Sequence, residues 1–337
     1  MEQVRFPMIP RFPENVPYYN KDEFIRHLHK LQPTMTICIA AICEDWDGAF
    51  PRIVFCADRL VTALIQYESG QTKITRLTPY CFALSSTNNS QVSDMILENV
   101  REKLENETKH LKIKEITEMV KAELINVKNT SIEEDVLAKY NLTAKKVNID
   151  PAEFADRAMN EVSRYRYPLV FECVILGFDS PTEAHLYTIE QDGKYYLWDS
   201  PGFAYAGSGG FLAFLQIAKS RHTKQDPVSR TISLVYFAKK VSEMAEGVGK
   251  KTTDLFVLYP HWDDPNKMGD PDTALYLLYN PNRQALLSTL DKAFEDIQKF
   301  EEQKIEEISH LIDEALTPKE EAKSDDEQAE KKDDEEK

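Results

Sequence analysis

The chain has 337 residues, 42% of them hydrophobic, which is enough for one large domain or two small ones. Its formal net charge of −16 argues against nucleic acid or an anionic membrane as a partner. The N-terminus lacks the apolar core of a signal peptide, and no apolar run approaches the roughly 20 residues of a membrane helix. We therefore expect a cytoplasmic protein.

The cysteines favour a reducing compartment. Their number is odd, no two are spaced as C-x-x-C, and three lie inside apolar, strand-like runs. We predict buried free thiols at Cys38, Cys43, Cys56, Cys81 and Cys173.

The first third of the chain begins with a proline-containing arm or propeptide over residues 1–35. Apolar and β-branched residues then predict one strand pair over 36–43 and 53–58. A second pair is predicted over 71–77 and 80–86, with a Thr-Pro-Tyr turn between its strands.

Helical periodicity follows. One apolar stripe predicts a helix over 91–104, with Ser90 as its cap, and another predicts a helix over 113–127. Residues 128–165 are polar and helix-like, and we interpret them as an insertion.

The order of elements indicates an α+β fold. Strands are predicted over 169–178, 185–191, 195–200, 204–207 and 253–258, and further helices over 210–219 and 233–245. Strands, two helices, strands, two helices and a last strand fit two antiparallel sheets packed face to face between helix layers, a four-layer αββα sandwich. This domain would span residues 36–258.

The C-terminal part differs in composition. Residues 259–285 are predicted to form a loop, and 286–316 form a long amphipathic helix. That helix either docks on its own domain or a partner, or self-associates as a coiled coil whose heptad is imperfect around Gln303. Residues 317–337 are too polar and acidic to fold, so we expect a disordered tail.

Four side chains stand out by their order along the chain. Thr36 opens the first strand, Asp58 ends the second, Lys73 precedes the third, and Ser208 lies between glycines. A threonine hydroxyl is a weak nucleophile that needs a neighbouring base. A lysine held by an aspartate organises proton transfer beside such a hydroxyl.

These segments resemble the proteasome β-subunit family of N-terminal-nucleophile (Ntn) hydrolases, from about Thr36 to Leu258. The likeness rests on the Thr36 strand, on Asp58 followed by Thr62, on the run KITRL that starts at Lys73, and on AYAGSGG near Ser208. The resemblance implies the Ntn-hydrolase fold and a threonine peptidase or amidohydrolase acting on a peptide or amide. It implies neither a cofactor nor a metal.

In this resemblance Thr36 is the nucleophile and its free α-amine, with a pKa of about 8, is the base. Lys73, Asp58 and Ser208 complete the hydrogen-bonded cluster. Alignment by strand register leaves either Met35 or Thr36 at the nucleophile position.

The same resemblance implies two supporting groups. Backbone N–H groups near Ser86, Thr87 and Asn88 would form the oxyanion hole, although the family's loop is rich in glycine and this one is not. Glu246 takes the place of a supporting aspartate near the fourth helix.

Simpler interpretations stay open. Thr36 can be a buried strand threonine, Asp58 and Lys73 a structural salt bridge, and Ser208 a turn residue. The chain would then be a catalytically silent, proteasome-like scaffold subunit, and a non-proteasomal amidase on the same fold is a third reading. The identity of the mature N-terminus separates the first two. In either case we expect a homo-oligomer.

Overall fold

The structure is a computed structural model that describes part of the chain. The described residues are 36–44, 50–62, 66–68, 72–140, 142–143, 153–165, 167–245, 248–250, 252–259 and 283–316. The predicted arm over 1–35, nearly all of the loop over 259–285 and the tail over 317–337 lie outside them. The chain divides into two units, Met1–Arg283 and Gln284–Lys337.

The first unit is mixed α and β, with two antiparallel sheets. Its strands are β1 Cys38–Glu44, β2 Pro51–Asp58, β3 Leu60–Thr62, β4 Gln66–Glu68, β5 Ile74–Thr78, β6 Cys81–Thr87, β7 Phe171–Ser180, β8 Glu183–Ile189, β9 Tyr195–Leu197, β10 Phe203–Ala206 and β11 Thr253–Leu258. One sheet has the order β10-β1-β2-β11, the other β5-β6-β7-β8-β9, and β3 pairs with β4 as a separate hairpin.

The structure describes six α-helices. They are α1 Ser90–Glu105, α2 Ile113–Asp135, α3 Glu153–Arg164, α4 Gly210–Lys219, α5 Val228–Ser242 and, in the second unit, α6 Arg283–Leu316. A short 3-10 helix, Leu137–Tyr140, follows α2. Among the helices that the structure describes, none combines the length and the apolar character needed to cross a membrane.

One apolar core lies between the two sheets. Alternate residues of β1 and β2 point into it, because neighbouring side chains of a strand face opposite sides. Phe55 of β2 stacks on Phe256 of β11 with ring centroids 5.2 Å apart, and meets Phe82 of β6 at 5.5 Å. These rings join the two sheets across their facing surfaces.

A second core covers the other face of the five-stranded sheet. Residues of β6, β7 and β8 pack there against the apolar stripes of α1 and α2, including Ile96, Val100, Ile116 and Val120. On the four-stranded sheet, α5 lies against β1 and β2, and α4 lies against β10. The α+β class with two antiparallel sheets is therefore confirmed.

Several element ends differ from the prediction. Asn89, not Ser90, caps α1, since its side chain accepts the N–H of Val92 at 3.3 Å. The helix predicted to end at 127 continues to Asp135. The helix predicted to begin at 233 starts at Val228, and the β3–β4 hairpin was not predicted at all.

The cysteine prediction is confirmed in its structural part. All five are buried and free. Burial raises the pKa of the thiols of Cys43 and Cys56 to about 12 in both cases, so these side chains act as small apolar groups.

Candidate active site

Thr36, Asp58 and Lys73 meet at the start of β1. The buried Thr36 Oγ1 donates to Asp58 Oδ1 at 2.5 Å and accepts a hydrogen bond from Lys73 Nζ. Lys73 Nζ also donates to Asp58 Oδ1 at 2.8 Å. The hydroxyl therefore lies between an ammonium and a carboxylate, as the sequence predicted for these three residues.

Strand pairing brings Asp58 to this position. β1 and β2 run antiparallel with Cys38 opposite Ala57, so the end of β2 lies beside the residue that precedes β1. Asp58 is fully buried, and its oxygens accept the backbone N–H groups of Ile37 at 3.0 Å and Gly249 at 2.8 Å. Those bonds replace the hydration that the carboxylate loses on burial.

Lys73 belongs to the other sheet. It precedes β5, and its carbonyl accepts the N–H of Ser85 in β6 at 3.0 Å. Its side chain keeps 15% of its surface exposed, whereas that of Asp58 keeps none. The cluster therefore spans both sheets and reaches solvent on the lysine side.

The Gly-Ser-Gly turn wraps around Thr36. Gly207 has a φ of +96°, and a Cβ there would lie 2.5 Å from the Thr36 carbonyl oxygen and 2.8 Å from its methyl group. The N–H of Gly209 donates to the same carbonyl at 3.3 Å. Only glycine fits at 207, both in conformation and in space.

Ser208 follows Gly207 but does not join the hydrogen-bonded cluster. Its buried Oγ has no hydrogen-bond partner among the described residues. The same holds for Ser86 Oγ, which a Cβ at Gly207 would approach to 2.9 Å. Two unpartnered hydroxyls thus lie on the turn and on the strand next to it.

The predicted oxyanion loop is only partly free. Asn88 donates its backbone N–H to the carbonyl of Val170 at 3.3 Å and its side-chain amide to Pro168 at 2.8 Å. The Thr87 hydroxyl bonds to the carbonyl of Asn89. Ser86 pairs with Glu172 of β7 two residues before the bonded Asn88–Val170 pair, so its N–H also faces β7 in the antiparallel ladder. Of the three predicted donors, the backbone N–H of Thr87 is left as the candidate.

Two groups of the site were missed from sequence. The Glu172 carboxylate accepts the N–H of Gly207 at 2.7 Å and so holds the turn. The Ser242 hydroxyl donates to the carbonyl of Gly209 at 3.0 Å. No local pattern marks either residue, since both contacts join segments more than 30 residues apart. The predicted supporting residue Glu246 lies outside the described residues.

A pocket of about 560 Å³ lies beside Glu172. Glu172 lines it together with Tyr165, Tyr167 and Glu190. Glu172 therefore both lines this pocket and accepts the N–H of Gly207.

Cys38 is not a rival nucleophile. It is fully buried, and its Sγ contacts the carbonyl of Ser85 at 3.7 Å. Burial raises the pKa of this thiol well above its ordinary value, so the thiolate does not form at neutral pH. In the described ranges no group of three or more metal-binding side chains comes together.

Comparison with known proteins does not identify a family for the chain. The chain matches no protein-family model, and a search of curated proteins finds no match to it. What the chain does must therefore be inferred from its own residues.

Proposed function

We propose that the chain is an Ntn hydrolase of the proteasome β-subunit kind, which cleaves peptide or amide bonds with Thr36 as nucleophile. The observation that carries the proposal is the buried contact of Thr36 Oγ1 with both Lys73 Nζ and Asp58 Oδ1. The two facing sheets, with helices against the outer side of each, are consistent with the four-layer αββα sandwich of that family.

The proposed chemistry needs a free amine on Thr36. In the full sequence 35 residues precede it, so its nitrogen is part of a peptide bond. Cleavage after Met35, or translation from Met35 followed by loss of that methionine, would expose it. A free α-amine with a pKa of about 8 is then the base that takes the hydroxyl proton.

The reaction follows from those positions. Thr36 Oγ1 attacks the substrate carbonyl carbon, its proton passes to the amine, and a tetrahedral oxyanion forms. The carbon–nitrogen bond breaks as the amine returns the proton to the leaving group, and water then hydrolyses the remaining ester. Lys73 donates a hydrogen bond to Oγ1, which stabilises the negative charge that develops on Oγ1 as its proton leaves. Asp58 keeps Lys73 in place.

A silent scaffold subunit is the second candidate. Two observations favour it: Ser208 makes no hydrogen bond to the cluster, and the Asn88 N–H is already bonded. In that case the Thr36, Asp58 and Lys73 contacts would be structural, and the chain would keep its N-terminal residues.

Intact mass and activity together test the proposal. We expect the purified protein to lack its first 35 residues and to cleave members of a panel of fluorogenic peptides and amides. Thr36→Ala should abolish this activity, with a loss of at least about 1,000-fold. Thr117→Ala is the matched control, because Thr117 is also buried but donates only to a helix carbonyl.

Two results would contradict the hydrolase. One is an active preparation that contains only the full-length mass. The other is an active Thr36→Ala variant, because that variant lacks the hydroxyl proposed as the nucleophile. An inactive full-length protein would favour the scaffold.

A further inference from the structure

The second unit carries an apolar surface of its own. Every residue from 295 to 312 of α6 is exposed, and the large apolar ones are Ile297, Phe300, Ile305, Ile308, Leu311 and Ile312. An exposed apolar stripe of this length on a helix marks a surface at which another molecule binds.

Three residues of this stripe, Ile297, Ile308 and Leu311, belong to a heptad with charges at its centre. Phe294, Ile297, Glu301, Lys304, Ile308 and Leu311 are spaced alternately by three and four residues, as in the a and d positions of a coiled coil. We call these six residues the seam. The seam is symmetric about the point between residues 302 and 303. From that point each direction has one charged residue followed by two apolar ones.

We propose that α6 docks antiparallel on α6 of a second copy of this chain, centred on that point. The centre places Glu301 opposite Lys304 of the second copy, and Lys304 opposite its Glu301. On either side, Ile297 meets Ile308 of the second copy, and Phe294 meets its Leu311. A two-fold axis thus pairs each seam residue with one of matching chemistry.

Charge excludes the parallel alternative. In a parallel pair in register, Glu301 would face Glu301 and Lys304 would face Lys304 inside the seam, and like charges there are repulsive. In the single chain Lys304 pairs with Glu307 at 2.5 Å, with both side chains at least half exposed. For Lys304 to leave Glu307 and pair with Glu301 of the second copy costs little free energy, because an exposed ion pair contributes little.

Most of the remaining charges lie away from the seam, and Glu307 flanks it. Glu295, Asp296, Glu302 and Glu306 fall on the opposite side of the heptad, so two helices can approach without bringing them together. Residues 295–312 hold six acidic residues and two lysines, a net charge of −4, which disfavours an anionic membrane as the occupant.

Charge reversal in the full-length chain tests the register. Wild type should show a concentration-dependent dimer by sedimentation equilibrium. Glu301→Lys and Lys304→Glu, made separately, should each weaken the dimer about tenfold or more, because each variant replaces two seam pairs with like charges. The double variant should return to within about threefold of wild type, since it restores both pairs.

Glu302→Lys is the control, because it makes the same charge change as Glu301→Lys but at a position away from the seam. At 0.1 M ionic strength it should change the dissociation constant of the dimer by less than about threefold. Circular dichroism should confirm that every variant keeps its helix content.

Three outcomes would overturn the proposal: a monomer at 100 µM, single reversals that leave self-association unchanged, or a double variant that stays as weak as the singles. A parallel pair would give unchanged singles, because each reversal only exchanges one like-charge layer for another. The measurement needs no substrate, so it does not depend on the proposed hydrolase.

Discussion

At the scale of single residues, Asp58 organises the site. Its buried carboxylate accepts backbone N–H groups from Ile37, Leu60 and Gly249, and it also binds the Thr36 hydroxyl and the Lys73 ammonium. Segments distant in sequence therefore meet at one side chain. Hydrogen bonds to a charged acceptor are stronger than neutral ones, so this residue supports the fold as well as the proposed chemistry.

Asp58→Asn should lower the free energy of unfolding by about 3 kcal/mol, because the amide keeps one acceptor oxygen and leaves Lys73 without its counter-ion. Urea denaturation would measure the loss. Asp94→Asn, on an exposed face of α1, is the control and should change stability by less than about 0.5 kcal/mol. A loss at Asp58 below about 1 kcal/mol would mean that the carboxylate is not needed there.

Gly207→Ala should be costly for two separate reasons. The left-handed backbone costs an alanine about 1–2 kcal/mol, and its Cβ would lie 2.5 Å from a main-chain oxygen. The control is Gly193→Ala, where φ is +81° but the nearest atom, at 3.2 Å, belongs to the Ile125 side chain. Thermal unfolding should show a larger loss at 207 than at 193, and equal losses would contradict the close packing of the turn on Thr36.

Residue types could be predicted at this site, but partners could not. Thr36, Asp58 and Lys73 stand at strand ends where the pattern of strands suggests a meeting point, and the structure brings them together. Glu172 and Gly249 enter only through sheet pairing and loop closure, which join residues far apart in the chain.

At the scale of elements, the strands were easier to predict than their ends. β1 and β2 are buried along nearly their whole length, and both lie close to where they were predicted. By contrast, α2 continues to Asp135 through a polar stretch that the sequence pattern marked as an insertion. A polar sequence can continue a helix once its first turns are packed, because each further residue adds a hydrogen bond at little nucleation cost.

A histidine joins β8 to the loop beyond β9. His185 Nδ1 lies 2.6 Å from Asp199 Oδ2, and Nε2 lies 3.4 Å from Asp179 Oδ2. The hydrogen bond to Asp199 raises the pKa of His185 above its ordinary value of 6.5. Glu183 nearby adds to this effect, and partial burial opposes it.

This histidine should make stability depend on pH. A raised pKa in the folded state means that protonation stabilises the fold, fully below pH 6.5 and progressively less as the pH rises through the folded value. We expect wild type to lose stability relative to His185→Gln as the pH rises from 6.5 through the raised folded-state pKa. Urea midpoints across that range would measure it, and parallel curves for the two proteins would show that the histidine has no such effect.

At the scale of the whole molecule, charge opposes the proposed pairing of two chains. Two bodies of charge −16 at about 40 Å in water repel by roughly 7 kcal/mol at 0.01 M ionic strength and roughly 0.5 kcal/mol at 0.1 M. The Glu301–Lys304 pairs act over about 4 Å, a distance that salt at these concentrations screens little. The long-range repulsion is therefore the part that salt removes.

Dimerisation should accordingly strengthen with salt. Between 0.01 M and 0.1 M ionic strength we expect the dissociation constant of the wild-type dimer to fall by at least about tenfold, because screening of the overall charge outweighs weakening of the seam pairs. Sedimentation equilibrium at a fixed pH of about 7.5 would measure it, with sodium chloride as the only variable. Glu302→Lys should show a slightly smaller salt effect, since it changes the net charge from −16 to −14. A dimer that weakens as salt is added would mean that attraction between charged groups dominates the contact, contrary to an apolar seam with one charged centre.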